Sequence, residues 1–173
     1  MDRVKGKVAI VTGSGSGLGR AEAVLFAKEG AKVAVTDIND ANGMETVEMI
    51  RAEGGEAEYW HLDASKEKEC ADVLAQVVEK FGKLDILVNN AGITGPDVPT
   101  EEVEEADWDK MFAINVKSVL FMTKHAVKYL RANGKGSIVN TSSVSGLIGD
   151  TELTPYHATK GNIVVMTMKD AIQ

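Results

Sequence analysis

Tyr156 and Lys160 stand four residues apart in the stretch Tyr-His-Ala-Thr-Lys. On a helix this spacing puts a phenol and an ammonium on one face. A tyrosine ionises at about pH 10 and is a poor acid or base at neutral pH. A lysine cation beside it favours the phenolate, which can take a proton from a reacting hydroxyl. Surface pairs with this spacing are also common, so the pair has to be judged by its setting. It follows a serine-rich strand end, Ser142-Ser143.

A second stretch of this kind is Lys7 to Gly19, KVAIVTGSGSGLG. Val8 to Val11 form a short apolar run of the type found in strands buried on both faces. Glycines then occupy alternate positions, Gly13, Gly15, Gly17 and Gly19, and a helical pattern begins at Leu18-Gly19-Arg20. A strand, a glycine loop and a helix together allow a sharp turn and a close backbone approach. The free N–H groups of the helix point at an anion, here a pyrophosphate. A tight turn with no ligand uses the same residues, so the context matters. Gly30 stops the helix, and a second apolar run, Lys32 to Thr36, ends at Asp37. An acidic residue about 20 positions past the loop is placed to accept hydrogen bonds from an adenosine ribose. With such a dinucleotide bound, the positive nicotinamide ring of its oxidised form would add to the effect of Lys160 on Tyr156.

The elements that must position these groups follow one another without linker, repeat or low-complexity segment. Asn39 and Asp40 open a helix over Ala41 to Ala52, which stops at Gly54-Gly55. Ala57 to Leu62 reads as a third strand ending at Asp63. Ser65 then caps a long helix carrying Val73, Leu74, Val77, Val78 and Phe81 at helical spacing, with Gly82 as its stop. Leu84 to Val88 is a fourth strand, leading into Asn89-Asn90-Ala91-Gly92. Val103 to Leu130 is amphipathic, with a break expected near Ala106 to Asp109. Ser137 to Thr141 is a fifth strand, Ser142 to Thr154 a loop, and a helix begins near Pro155 or Tyr156. This alternation predicts an α/β fold, a Rossmann-like doubly wound parallel sheet of order 3-2-1-4-5. The ligand crevice would lie outside the carboxyl ends, at the switch between strands 1 and 4. The glycine loop, Asp37, Asp63, Asn90 and Ser142-Ser143 all fall just after strands, on that edge.

Bulk composition narrows the function classes. The length of 173 residues suits one domain with a sizeable core. A formal charge of −7 argues against nucleic acid or an anionic membrane as the main partner. Cys70 is the single cysteine, which rules out an internal disulfide and fits a cytoplasmic setting. With a charged N-terminus running straight into a strand, no signal peptide is expected, and no apolar run approaches the ~18 residues that span a bilayer. His61, His125 and His157 share no ligand spacing with Cys70 or each other, so no metal site is expected. Trp60 and Trp108 read as packing residues, and Glu101 to Glu105 as a solvated helix start.

Taken together, the motifs resemble the short-chain dehydrogenase/reductase family. The matching positions are Thr12-Gly13 with Gly17-Leu18-Gly19, Asn89-Asn90-Ala91-Gly92, Asn115 within Phe-Ala-Ile-Asn-Val, Ser143, and Tyr156 with Lys160. They run the length of the chain in the family's order. The resemblance implies that Tyr156 is the general acid/base and that Lys160 both favours its phenolate and holds the nicotinamide ribose. It implies that Ser143 hydrogen-bonds the substrate oxygen; Ser143 is preferred to Ser142 because the family's serine precedes the tyrosine by thirteen residues. Asn115 would sit at a helix break and hold a water that relays protons to Lys160. Gly13, Ser16, Gly17, Leu18, Gly19, Ile38, Asp63, Ala64, Asn90, Ala91 and Gly92 would line the cofactor, with Asp63 on the adenine. Asp37 would accept both ribose hydroxyls and repel a 2′-phosphate, while neither Ser16 nor Ile38 offers a basic partner. NAD(H) is therefore expected over NADP(H).

The reading is thus an NAD-dependent oxidoreductase exchanging a secondary alcohol and a ketone. The alternative is a catalytically silent nucleotide-binding module that acts through binding or assembly. Family members continue past the Tyr156 helix, so the sequence 1–173 is expected to be one NAD-binding domain, either part of a longer protein or a shortened form. The mixture of Gly, Leu, Ile and Pro in Thr94 to Val98 and Ser145 to Leu153 favours a small, mostly apolar substrate. Val116, Val119, Leu120, Val127, Ile163, Val164 and Met166 serve either core packing or a homodimer or homotetramer.

Overall fold

The computed structural model describes residues 2–172. Strands and helices alternate as β1 (Val8–Thr12), α1 (Gly17–Lys28), β2 (Lys32–Asp37), α2 (Asp40–Ala52), β3 (Glu56–His61), α3 (Glu67–Phe81) and β4 (Ile86–Asn89). A 3-10 turn (Thr100–Glu102), α4 (Glu105–Phe112), a π turn (Ala113–Lys117), α5 (Ser118–Ala132), β5 (Ser137–Asn140), a second 3-10 turn (Val144–Gly146) and α6 (Thr154–Asp170) follow. All four strand pairings are parallel and the order is β3-β2-β1-β4-β5, as the alternation predicted.

The pleat of β1 divides the core. Val8 and Ile10 point to one face, where Leu74 and Val77 of α3 and Met122 and Ala126 of α5 cover them. Ala9 and Val11 point to the other, against Ala23 of α1 and Val47 and Ile50 of α2. Because both faces are covered, the strand reads as a continuous apolar run, and all five of its residues are buried. This packing fixes the carboxyl ends of β1, β2 and β4 side by side. No described helix is long and apolar enough to cross a membrane.

Three local expectations are corrected. Lys66, and not Ser65, occupies the N-cap of α3; the Ser65 hydroxyl donates instead to Asp63 Oδ1 at 2.6 Å. The 103–130 stretch does not break at Ala106 to Asp109, which lies within α4. Its irregularity is the π turn around Asn115. β4 begins at Ile86 rather than Leu84, because Asp85 turns its carboxylate back to accept the Val8 N–H at 2.9 Å.

Candidate active site

The glycine loop leaves β1 at Gly13, whose φ of +64° is open to glycine at no steric cost. A Cβ there would lie 2.9 Å from Ala91 Cα, so the β1 and β4 loops touch backbone to backbone. Asn90 seals the contact, its amide donating to the carbonyls of Thr12 at 3.0 Å and Gly13 at 3.2 Å. Thr12 Oγ1 accepts from Asn90 N and Ala91 N, each at 3.0 Å. Gly19 is buried on the inner side of α1, and a side chain there would overlap Asn90 Nδ2 and the Gly13 carbonyl oxygen. Gly17 differs: its φ is +54° and no atom lies within 4 Å of where a Cβ would be. Ser16 caps α1 without a side-chain hydrogen bond, and Ser16, Gly17 and Leu18 border the crevice, so the first turn of the helix meets that space without a capping side chain. That is a cradle suited to an anion.

A cavity of about 460 Å³ runs along this edge. Gly13, Ser16, Gly17, Leu18, Asp37, Ile38, Asp63, Ala64, Asn90, Ala91 and Gly92 all line it; of the expected loop residues, Gly19 does not, being spent on packing. The Asp37 carboxylate is held by two backbone donors, Gly15 N at 2.8 Å and Asn39 N at 2.9 Å. Asp63 braces its own turn, accepting from Ser65 N at 3.0 Å. A pyrophosphate-containing dinucleotide fits these residues on two counts. The φ of Gly17 and the space beside it leave room for the phosphates, and the Asp37 carboxylate is fixed at the far side.

Where the cavity reaches Gly92, the second group begins. A Cβ on Gly92 would lie 3.2 Å from Asn115 Oδ1 and 3.6 Å from Lys160 Nζ, so both heads come up to the Gly92 backbone, the Asn115 oxygen tightly and the Lys160 ammonium at ordinary contact distance. Asn115 is fully buried in the π turn. Its amide donates to the Ile93 carbonyl at 2.9 Å and to Thr159 Oγ1 at 3.1 Å, while its oxygen accepts from Ile93 N at 2.8 Å. Both amide hydrogens are spent on protein partners, which leaves the oxygen's second lone pair and the main chain for any relay water. Thr159, also fully buried, donates to the Tyr156 carbonyl at 2.8 Å. The π turn is therefore fastened to the turn of α6 that lies between Tyr156 and Lys160.

Lys160 is 5% exposed and donates to the Thr141 carbonyl at 2.8 Å. Burial lowers its pKa from the ordinary lysine value, and no described carboxylate offsets that cost. Its ammonium lies 5.6 Å from the Tyr156 ring centroid, so the expected pair does share one face of α6. The Tyr156 hydroxyl has no protein partner among the described residues. Of the two serines, Ser142 donates to the Lys160 carbonyl at 2.8 Å and is thereby committed to packing the loop on α6. Ser143 only accepts a 3.2 Å bond from Ser145 N, so its own proton is free for another acceptor. His157 folds back toward the Leu153 carbonyl, 3.1 Å from Nδ1.

The contact of Gly15 N with Asp37, the Thr12 hydroxyl's hold on Asn90 and Ala91, and the Thr159 link between Asn115 and Tyr156 are not visible in the sequence. A hydroxyl or a backbone N–H carries no sequence signal for the partner that tertiary packing gives it.

The family described as short chain dehydrogenase matches residues 7–172. Among relatives, an uncharacterized oxidoreductase of Thermotoga maritima is 45% identical over 97% of this chain. Cyclopentanol dehydrogenase of a Comamonas species is 38% identical over 99% of this chain. The chain spans 66% and 68% of the lengths of these two proteins. Among solved structures, NAD+-bound xylitol dehydrogenase superposes with a TM-score of 0.96 at 32% identity, covering 98% of this chain and 65% of that one. Levodione reductase superposes at 0.93 and 36% identity, covering 98% and 67%. With this match over nearly its whole length, and with a parallel sheet of the order such proteins share, the chain belongs to the short chain dehydrogenase family.

Proposed function

We propose that this chain carries the dinucleotide crevice and the reacting groups of an NAD-dependent oxidoreductase that interconverts a secondary alcohol and a ketone. The observation that carries the reading is the meeting of two groups at Gly92. The glycine-lined cavity passes Gly92 to Ile93 and Ile114; Tyr156 and Lys160 do not themselves line it, but the Lys160 ammonium comes up to Gly92 while lying beside the ring of Tyr156. The names of the relatives support the coarser part, since cyclopentanol is a secondary alcohol and one matching structure is NAD+-bound.

When bound, a nicotinamide dinucleotide supplies the hydride acceptor for oxidation or the donor for reduction. Gly13, Gly17 and the first turn of α1 would hold its phosphates. In the oxidation direction, Tyr156 Oη as phenolate takes the proton of the substrate hydroxyl. Ser143 Oγ hydrogen-bonds the same oxygen and stabilises the charge on it. Lys160 Nζ holds its charge beside the Tyr156 ring, and Asn115 fixes Lys160 and Tyr156 relative to the crevice through Thr159. The exposed apolar side chains of Val144, Leu147 and Ile148 beside Ser143 favour a mostly apolar substrate. Pairing into a homodimer or homotetramer belongs to the same reading and is checked by light scattering; Val119 and Ile163 are core residues, whereas Leu120, Val165 and Met168 remain exposed.

The cofactor choice is tested through Asp37. A carboxylate fixed by two N–H groups accepts the ribose hydroxyls and repels a 2′-phosphate. Fluorescence titration is expected to give NADH at least roughly tenfold tighter than NADPH, like charges in one site being this costly. Asp37→Ala brings the ratio toward unity. Tighter binding of NADPH by the wild-type chain overturns the NAD assignment.

A further inference from the structure

Arg20 lies in the first turns of α1 and does not line the cavity. It would be taken for a surface residue if the crevice were read from its lining alone. Its guanidinium nevertheless reaches the glycine loop and α2 together. Its Nε donates to Thr46 Oγ1 at 3.0 Å, and the two hydrogens of its Nη2 are shared among the Gly15 carbonyl, Glu45 Oε2 at 2.6 Å and, more distantly, the Asn42 carbonyl at 3.3 Å. Thr46, which accepts from Arg20, has one proton to give, and of the two carbonyls in reach the nearer is that of Ser14 at 2.9 Å, with Asn42 at 3.1 Å.

These contacts bear on one N–H group. The Ser14 carbonyl and the Gly15 N–H belong to a single peptide plane, and the Gly15 carbonyl begins the next. Arg20 holds the second plane directly and the first through Thr46, so neither can rotate freely about Gly15. The Gly15 N–H held between them donates to Asp37 Oδ2 at 2.8 Å. The fit is tight as well as polar. A Cβ on Gly15 would lie 2.8 Å from Asp37 Oδ2 and 3.0 Å from Asn42 Cβ, so the carboxylate rests against the bare Gly15 backbone.

We propose that Arg20 is a positioning residue for cofactor selection. By bracing the peptides on both sides of Gly15, it aims the Gly15 N–H at Asp37 and so holds the carboxylate where it meets the adenosine ribose. The inference rests on the reading of Asp37 as the ribose-binding group. Arginine is the side chain suited to the task, because a planar fork of fixed donors reaches several acceptors that a lysine ammonium on a flexible stem cannot reach together.

The test is a ratio, because general weakening of the fold changes the affinity of every dinucleotide alike. NADH and its 2′-deoxyadenosine analogue are titrated by fluorescence against the wild-type chain, Arg20→Lys, Arg20→Gln and Asp37→Ala, with circular dichroism confirming that each is folded. The wild-type chain is expected to prefer NADH by roughly tenfold or more, the worth of a hydrogen bond to a charged acceptor. Asp37→Ala sets the floor near unity. Arg20→Gln falls most of the way to that floor, chiefly by weakening NADH, and Arg20→Lys falls between. If Arg20→Gln does not fold, Arg20→Lys carries the measurement. Either folded Arg20 variant that keeps the wild-type ratio while Asp37→Ala loses it overturns the role of Arg20 alone. A wild-type chain that does not distinguish the two ligands, or binds neither, overturns the reading of Asp37 and this inference with it.

Discussion

Lys160→Met is expected to lower turnover by roughly a hundredfold or more while leaving the thermal midpoint at pH 7 unchanged or raised, the loss being of the size general acid–base groups contribute. The two effects have one source. The ammonium is buried without a described carboxylate partner, and burial alone lowers its pKa. Below the folded value it is charged in both folded and unfolded states, so its desolvation counts against the fold. As pH rises through the folded value toward the unfolded value of about 10.4, the native state sheds the proton first and that cost disappears. Methionine fills similar space without charge. The opposing effect is the Thr141 carbonyl, which loses its 2.8 Å donor, at a cost of about 1–3 kcal/mol if it stays dry. These terms offset one another near neutrality, so the stability change is small. Melting curves at pH 7 and pH 10 should show the wild type gaining on the variant as the solution becomes more alkaline. A variant that is strongly destabilised at pH 7, or that retains full turnover, contradicts the placement of Lys160.

Gly19→Ala should damage both binding and stability. The added methyl overlaps Asn90 Nδ2 and the Gly13 carbonyl oxygen, and one of them is backbone. Either α1 moves off the loop, or Asn90 gives up its bonds to Thr12 and Gly13, which join the β1 and β4 loops. Overpacking of this kind costs about 1–3 kcal/mol. A 2 kcal/mol loss lowers the melting temperature of a chain this size by about 4–8 °C. Because the displaced groups frame the anion cradle, NADH affinity should fall as well, by roughly tenfold or more for a cost of this size. A melting temperature and an NADH affinity both equal to wild type would contradict the packing described for α1.

Much of this was legible in the sequence because it depends on period and punctuation. The apolar run of β1 marks a strand covered on both faces, and Gly30 and Gly82 end helices through positive φ. The crossover rule then orders the sheet. The break in the long amphipathic stretch was not legible from the residues. The polar segment Ala106 to Asp109 has the composition of a turn, yet it continues α4. The real irregularity is tertiary in origin, since the Asn115 amide is drawn to Ile93 and Thr159 and the helix widens into a π turn around it. The same holds for Ser65, which looks like a cap but spends its hydroxyl on Asp63. Polar side chains with several possible partners are settled by what the fold brings near them, and local spacing does not carry that information.

The proposed chemistry depends on the hydroxyl of Tyr156, and its most direct test is NADH formation followed by absorbance across a panel of secondary alcohols, with wild type and Tyr156→Phe compared side by side. The wild type should oxidise at least one alcohol of the panel. Tyr156→Phe should lose roughly a thousandfold in turnover, as removal of a general base does, while binding NADH as before. Undiminished turnover in Tyr156→Phe, or a wild-type chain that binds NADH but turns over no alcohol or ketone, would contradict the assignment.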